Sequence, residues 1–300
     1  MSQNQLSILL PTHNNVCVQL VKDLQKQASV IHDFRYEILV ADDGSTDRES
    51  VSRNRAINDL PYCRLIERKH NVGRAAIRNF LANEALFERL LFIDSDLHVC
   101  SDSFLNRYIQ EKGEIIAGGL KKGGNLQKLA SNLRFVYEKA YERKHDYVHR
   151  NKKPDKDFTA ACFLVSKAVI RECPFNEKFK EYGYEDALLG KCFSTHGHKI
   201  VHIDNPILMD DYEDNELYLQ KTEEACRTLY KFKEDLRGYS KLIYWQEKLS
   251  LWHISCLLQK VFKHCGARIR KRLVDGKPSV FLFSIYKLLY YIHLHYLPTP

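Results

Sequence analysis

A chain of 300 residues with 44% hydrophobic and 28% charged side chains is large enough for one α/β domain with an appendage and too apolar to stay disordered. Its nine cysteines, at positions 17, 63, 100, 162, 173, 192, 226, 256 and 265, contain no CxxC pair; their spacing indicates neither a zinc site nor a disulfide framework, and free thiols in that number point to a reducing compartment. The net charge of +8 sits in residues 240–300, where ten Lys/Arg face two acids, while the remaining residues hold 36 of each sign.

The opening Met1–Gln5 is polar and the apolar run behind it ends at Pro11, so a secretory signal is not expected and the chain is placed in the cytoplasm. Leu6–Leu10, Glu37–Ala41, Cys63–Glu67 and Leu90–Ile93 read as buried strands. Between them, Asn15–Ala28, Asp47–Ile57 and Gly73–Phe87 carry apolar residues at helical spacing. This alternation predicts an α/β fold with a mainly parallel central sheet. Further along, Asn125–Arg150 predicts one long charged helix, Phe158–Ser166 a strand and Tyr184–Thr195 a helix. Lys199–Ile203 reads as a short strand and Asn215–Phe232 as a polar helix closing the body.

Ligands of parallel sheets bind beyond the carboxyl ends of the strands, and here those ends are polar. Strand one ends in Pro11-Thr12-His13-Asn14, strand two in Asp42-Asp43-Gly44-Ser45-Thr46-Asp47, and strand four in Asp94-Ser95-Asp96. Asp94 and Asp96 offer the oxygen ligands that suit Mg²⁺ or Mn²⁺, or equally form a capped turn. In Asp42–Asp47 the glycine allows a tight turn and the later residues cap a helix, which leaves two adjacent carboxylates able to accept from a base or ribose. Gly73 lets backbone approach a ligand, and Arg74 and Arg78 share a helix face suited to phosphate or to solvent. Glu185 and Asp186 open a helix, where acids complement the macrodipole and where one of them could deprotonate a hydroxyl.

The tail contains both tryptophans, Trp245 and Trp252, and a basic knot of Arg268, Arg270, Lys271 and Arg272. Val280–Leu297 is almost wholly apolar or aromatic, but Lys287 near its middle argues against a membrane span. Basic and aromatic faces together predict peripheral contact with an anionic inner leaflet, or helices that cover the body or a partner. Apolar residues outnumber charges there and no recognition motif appears, so nucleic acid is not expected as a partner.

Ser7–Asn14, Asp42–Asp47, Asn71–Asn79, Asp94-Ser95-Asp96 and Glu185-Asp186 follow one another in an order that resembles glycosyltransferase family 2 over roughly residues 5 to 235. The resemblance implies a GT-A type Rossmann-like sandwich in residues 1–235, followed by a helical extension in 236–300. It implies an inverting, metal-dependent hexosyl or N-acetylhexosaminyl transferase using a nucleotide diphosphate sugar, usually UDP-linked. The acceptor would be a glycan or a lipid-linked species in surface polysaccharide or lipopolysaccharide synthesis. Pro11 and Thr12 would line the nucleotide pocket, Asp43 would contact the base, and Gly73, Arg78, Asp94 and Ser95 would serve the donor. Asp94 and Asp96 would be the motif for Mn²⁺ or Mg²⁺, with Asp96 the direct ligand, and Asp186, of the Glu185–Asp186 pair, the general base. One departure is Met209, where similar relatives carry a histidine; Asp210 or Asp211 would then serve in its place, or the metal would matter less. The competing expectation is a non-catalytic sugar-nucleotide sensor or scaffold on the same fold.

Overall fold

The structure, a computed structural model, describes residues 4–297; residues 1–3, from the polar segment Met1–Gln5, and 298–300 lie outside the described residues. The chain forms two compact units, one of residues 4–123, 144–180 and 185–211 and one of residues 124–143, 181–184 and 212–297. The domain division expected from the resemblance falls between residues 235 and 236. By packing, the chain passes into the second unit for good at 212.

In chain order the elements are β1 (Gln5–Thr12), α1 (Val18–Ser29), β2 (Arg35–Asp42), α2 (Arg48–Asn54), β3 (Cys63–Glu67), α3 (Arg74–Glu84), β4 (Arg89–Ile93), α4 (Phe104–Gln110), β5 (Ile115–Ala117) and β6 (Leu120–Lys122). There follow α5 (Leu133–Tyr141), α6 (Tyr147–Arg150), β7 (Cys162–Ser166), α7 (Lys167–Glu172), α8 (Glu185–Thr195), β8 (Ile200–His202) and β9 (Ile207–Met209). A seven-stranded sheet runs in the order β3-β2-β1-β4-β7-β5-β8. β1 to β4 are mutually parallel, β7 is antiparallel to β4 and β5, and β8 is parallel to β5. The sheet is therefore mainly parallel, as the alternating pattern predicts, and β6 and β9 form a separate parallel pair. Leu6, Ile8, Leu9 and Leu10 are all fully buried, because helices cover both faces of a central parallel strand. Phe92 and Phe163 stack at 5.1 Å between centroids, and Phe158 and Phe175 meet Phe163 edge-on.

The single helix expected over Asn125–Arg150 is not formed. Asn125 and Asn132 use their side chains locally: Asn125 accepts from the Gln127 and Lys128 N–H groups, and Asn132 caps α5 by accepting from Phe135 N–H at 2.8 Å. Asp146 does the same for α6. Short polar side chains that compete for backbone N–H groups thus divide a segment whose periodicity alone reads as continuous. The strand expected from Phe158 begins instead at Cys162, where pairing with Ile93 of β4 starts.

The second unit is helical: α5, α9 (Asn215–Lys231), α10 (Lys241–Leu251), α11 (Ser255–Asp275) and α12 (Val280–Leu294). Its core joins Leu133, Leu219, Leu273, Phe283 and Tyr286. Arg270 bonds Glu216 at 2.6 and 2.9 Å and Glu223 at 2.8 Å, fastening α11 to α9. Lys287 donates to the Tyr137 hydroxyl at 2.8 Å and lies over the rings of Tyr137 and Phe283, so the cation within the apolar run is a core group whose pKa burial lowers. No helix among the described residues is long and apolar enough to cross a membrane.

Phe163→Ala removes the centre of the aromatic cluster and is expected to cost about 3–5 kcal/mol, read as a lower urea midpoint in far-UV circular dichroism. An unchanged midpoint would show that the cluster does not hold the first unit together.

Candidate functional site

The site is built where β1, β2 and β4 end. Thr12 of β1 lies in register with Asp42 of β2, and the loops beyond them are cross-bonded. Asn14 accepts from the N–H groups of Thr46 and Asp47 at 2.8 and 2.9 Å, while Asn15 donates to the Ser95 carbonyl at 2.8 Å. Asp47 caps α2, and hydrogen bonds from Ser50 and Glu49 hold its pKa below the usual carboxylate value. Gly44, at φ +64°, lies so close to the next loop that a Cβ would fall 2.5 Å from the His70 carbonyl carbon. Only glycine fits there.

Asp43 is 4% exposed and grips the start of α3: its two carboxylate oxygens accept from the Val72 and Gly73 N–H groups, both at 2.9 Å. Each oxygen retains a second lone pair. Gly73, at φ +93°, is the residue from which α3 departs, and the helix carries Arg74 and Arg78 one turn apart. Arg78, 2% exposed, bonds Asp94 through one terminal nitrogen and lies 3.9 Å from Glu185 through the other. Arg74 reaches Asp94 at 3.4 Å and Glu185 at 3.2 Å. The Arg78 ring partner is Phe175, 5.5 Å away. Residues from α3, the end of β4 and the start of α8 thus share one charge network.

Within the Asp94-Ser95-Asp96 run, Asp94 is engaged by both arginines, whereas Asp96 is exposed. Carboxylate oxygens such as those of Asp94 and Asp96 suit a hard divalent cation. Met209 is 4% exposed, a buried strand residue rather than a pocket group. His98, which belongs to none of the sequence motifs above, pairs with Leu208 through its backbone and brings its Nε2 to 3.3 Å from Asp210 Oδ1. An imidazole therefore lies two residues beyond Asp96, and its signal in the sequence is only that spacing. His202 is packed, with Nε2 2.9 Å from the Pro154 carbonyl, and burial lowers its pKa.

α8 opens with the acidic pair. Glu185 is buried against Arg74, and Asp186 beside it is half-buried and accepts from the Ala187 N–H at 2.7 Å. Desolvation first, and the neighbouring Glu185 second, push the Asp186 carboxyl up to about 7, with Arg78 and Arg74 pulling it down. Such a carboxyl gains and loses its proton near neutrality. Of the remaining candidates, Pro11 is half-buried near the end of β1, Thr12 turns inward to donate to the Asn15 carbonyl at 3.2 Å, and Ser95 is tied to Asn15. Among the described residues one further set of possible ligands converges, Cys173, Cys192 and His196, with ligand atoms within 4.8 Å of one another. Spacing did not show it, because Cys173 ends α7, and it lies at the opposite end of α8 from Asp186.

The model of the family described as Glycosyl transferase family 2 matches residues 7–173. No curated protein matches the sequence. Among solved structures, the mannosyltransferase PcManGT from Pyrobaculum calidifontis, in complex with GDP-Man and Mn²⁺, is 10% identical over 96% of this chain and 84% of that chain, with a TM-score of 0.59. S. aureus TarS 1–349 is 16% identical over 97% of this chain and 91% of that chain, with a TM-score of 0.54; its complex with UDP-GlcNAc gives 0.53. At such identities the likeness shows the fold, which is the GT-A Rossmann-like arrangement.

Arg78→Ala leaves Asp94 and Glu185 without their buried cation and is expected to cost about 3–5 kcal/mol in urea denaturation. Arg78→Lys should recover only part, since an ammonium lacks the guanidinium fork. Wild-type stability in the alanine variant would remove Arg78 as the organising residue.

Proposed function

Because this chain belongs to glycosyl transferase family 2, we propose that it is an inverting transferase that moves a hexosyl or N-acetylhexosaminyl group from a nucleotide diphosphate sugar to a hydroxyl acceptor. The observation that carries the reading is a carboxyl raised to about 7, Asp186, standing next to Glu185 in a network with Arg74, Arg78 and Asp94 at the strand ends. Asp186 takes the proton of the acceptor hydroxyl as that oxygen attacks the anomeric carbon. A direct displacement inverts the configuration there. Glu185 holds Arg74 and raises the basicity of Asp186 by its own charge. Arg74, half-exposed, is the guanidinium able to meet the leaving diphosphate; Arg78 is positioned behind it. Asp43 fixes the Val72–Gly73 backbone against which the nucleotide lies, with Pro11 and Thr12 on the adjoining wall.

Asp96 is the residue that would hold Mn²⁺ or Mg²⁺, with Asp94 and Ser95 beside it and His98 within reach. Bound there, the cation would neutralise charge on the diphosphate. The Mn²⁺ in the PcManGT complex supports this assignment, and the UDP-GlcNAc of the TarS complex supports a uridine donor. The acceptor we assign is a glycan or lipid-linked species of surface polysaccharide or lipopolysaccharide synthesis. The enzyme would work in the cytoplasm, with contact to the inner leaflet through the C-terminal helices.

Three outcomes test this. In a thermal-shift panel, UDP-sugars with Mn²⁺ should raise the melting temperature, as mass action requires of a true donor. Asp186→Asn should keep donor binding while turnover falls by ~10²–10⁴-fold. Turnover of the wild type should rise with pH along an acid limb with an apparent pKa near that of Asp186, about 7, because only the deprotonated base accepts the hydroxyl proton. Full transfer by the asparagine variant, or undiminished activity in excess EDTA, would remove the base or the metal respectively. A protein that binds donor yet neither hydrolyses nor transfers it is a sensor.

A further inference from the structure

The corner between α10 and α11 exposes side chains that soluble helices usually bury. Leu251 is 78% exposed, Leu257 63% and Trp252 55%, and Tyr244, Trp245 and Val261 are exposed with them. The corner is a defined shape. The Ile254 N–H bonds the Leu249 carbonyl and the His253 N–H bonds the Ser250 carbonyl, both at 3.0 Å, with His253 at φ 56°. That is a Schellman closure, which fixes the direction in which α11 leaves. Its aromatic rings are ordered around one cation: Lys248 Nζ lies 5.5 Å from the Trp245 centroid and 5.0 Å from that of Trp252.

Along α11 the exposed face runs Leu257, Val261, His264, Arg268, so it passes from apolar to basic away from the corner. Lys260, Lys263, Lys271 and Arg272 are exposed beside it. Between Ser240 and Asp275 the acids are Glu247, which Arg237 bonds at 2.9 Å, and Asp275 itself. Arg270 is set apart from this face by its bonds to Glu216 and Glu223. A second copy of the chain docked symmetrically here would bring like cations together. Nucleic acid would leave the aliphatic tip, Leu251 and Leu257, without a partner.

We propose that this corner docks on an anionic bilayer, with Leu251, Trp252 and Leu257 among the headgroups and acyl-chain ends and the lysines and arginines of α11 over the phosphates. Aromatic rings favour that depth, and basic residues favour that surface. The inference rests on the membrane contact proposed above and names the residues that make it. A corner seated in the leaflet keeps the enzyme where a lipid-linked acceptor presents its hydroxyl.

Trp245 and Trp252 are the only tryptophans of the chain, so tryptophan emission reports on this corner. The full-length protein should show a blue shift and float with phosphatidylcholine vesicles containing phosphatidylglycerol, and much less with phosphatidylcholine alone or in high salt. The variant Leu251→Ser, Trp252→Ser, Leu257→Ser changes exposed positions only. It should lose flotation by roughly tenfold or more while hydrolysing donor normally in vesicle-free solution. Unchanged emission without flotation, or equal flotation of the triple variant, overturns the proposal. So does a wild-type dimer that the triple variant converts to a monomer by light scattering, since the face would then belong to a second copy. A protein that floats but turns over no donor defeats the transferase reading and leaves this one standing.

Discussion

A guanidinium taken almost wholly out of water is costly to keep charged, and Arg78 is such a group. What makes it tolerable is the pair of carboxylates on either side, Asp94 at the end of β4 and Glu185 at the start of α8. The arrangement constrains everything near it. α3 can lie in only one position if its second turn is to reach both acids, and Asp43 secures that position from the other end through the Val72 and Gly73 N–H groups. The strand ends and α8 are thereby drawn to a common point, although Asp43 and Glu185 are separated by most of the first unit's sequence.

The same network allots different chemistry to residues of one type. Asp94 is paired with two arginines, and Asp43 accepts from the backbone N–H groups that open α3. Asp96 is exposed. Asp186 is desolvated next to another carboxylate and is the one that holds its proton to about neutral pH. Environment, rather than residue identity, sets these carboxylates apart.

The second unit solves a different problem with related means. α12 is apolar enough to invite a membrane reading, yet it is the centre of a helical core in which Lys287 meets Tyr137 and Tyr286 donates to Glu223 at 2.6 Å. Of the large apolar residues of α12, Phe281 is left exposed, while α10 and α11 expose Tyr244, Trp245, Leu251, Leu257 and Val261. Hydropathy along a sequence cannot make that distinction, since it counts side chains without knowing which of them neighbouring helices cover.

The alternation of strands and helices, the polar strand ends and the acids that follow them are legible in the sequence. These are local: period, turn chemistry and capping residues act within a few positions. The same locality misled over Asn125–Arg150, where Asn132 and Asp146 turned their side chains to the backbone and broke an apparently continuous helix. That Arg78 joins Asp94 to Glu185, that Met209 is buried while His98 stands beside Asp210, and that Cys173 meets Cys192 and His196 follow from the folded arrangement alone. Each of those depends on residues tens of positions apart being brought within a few ångströms. Charge, burial and reach are properties of that shared space, and no window along the chain contains them.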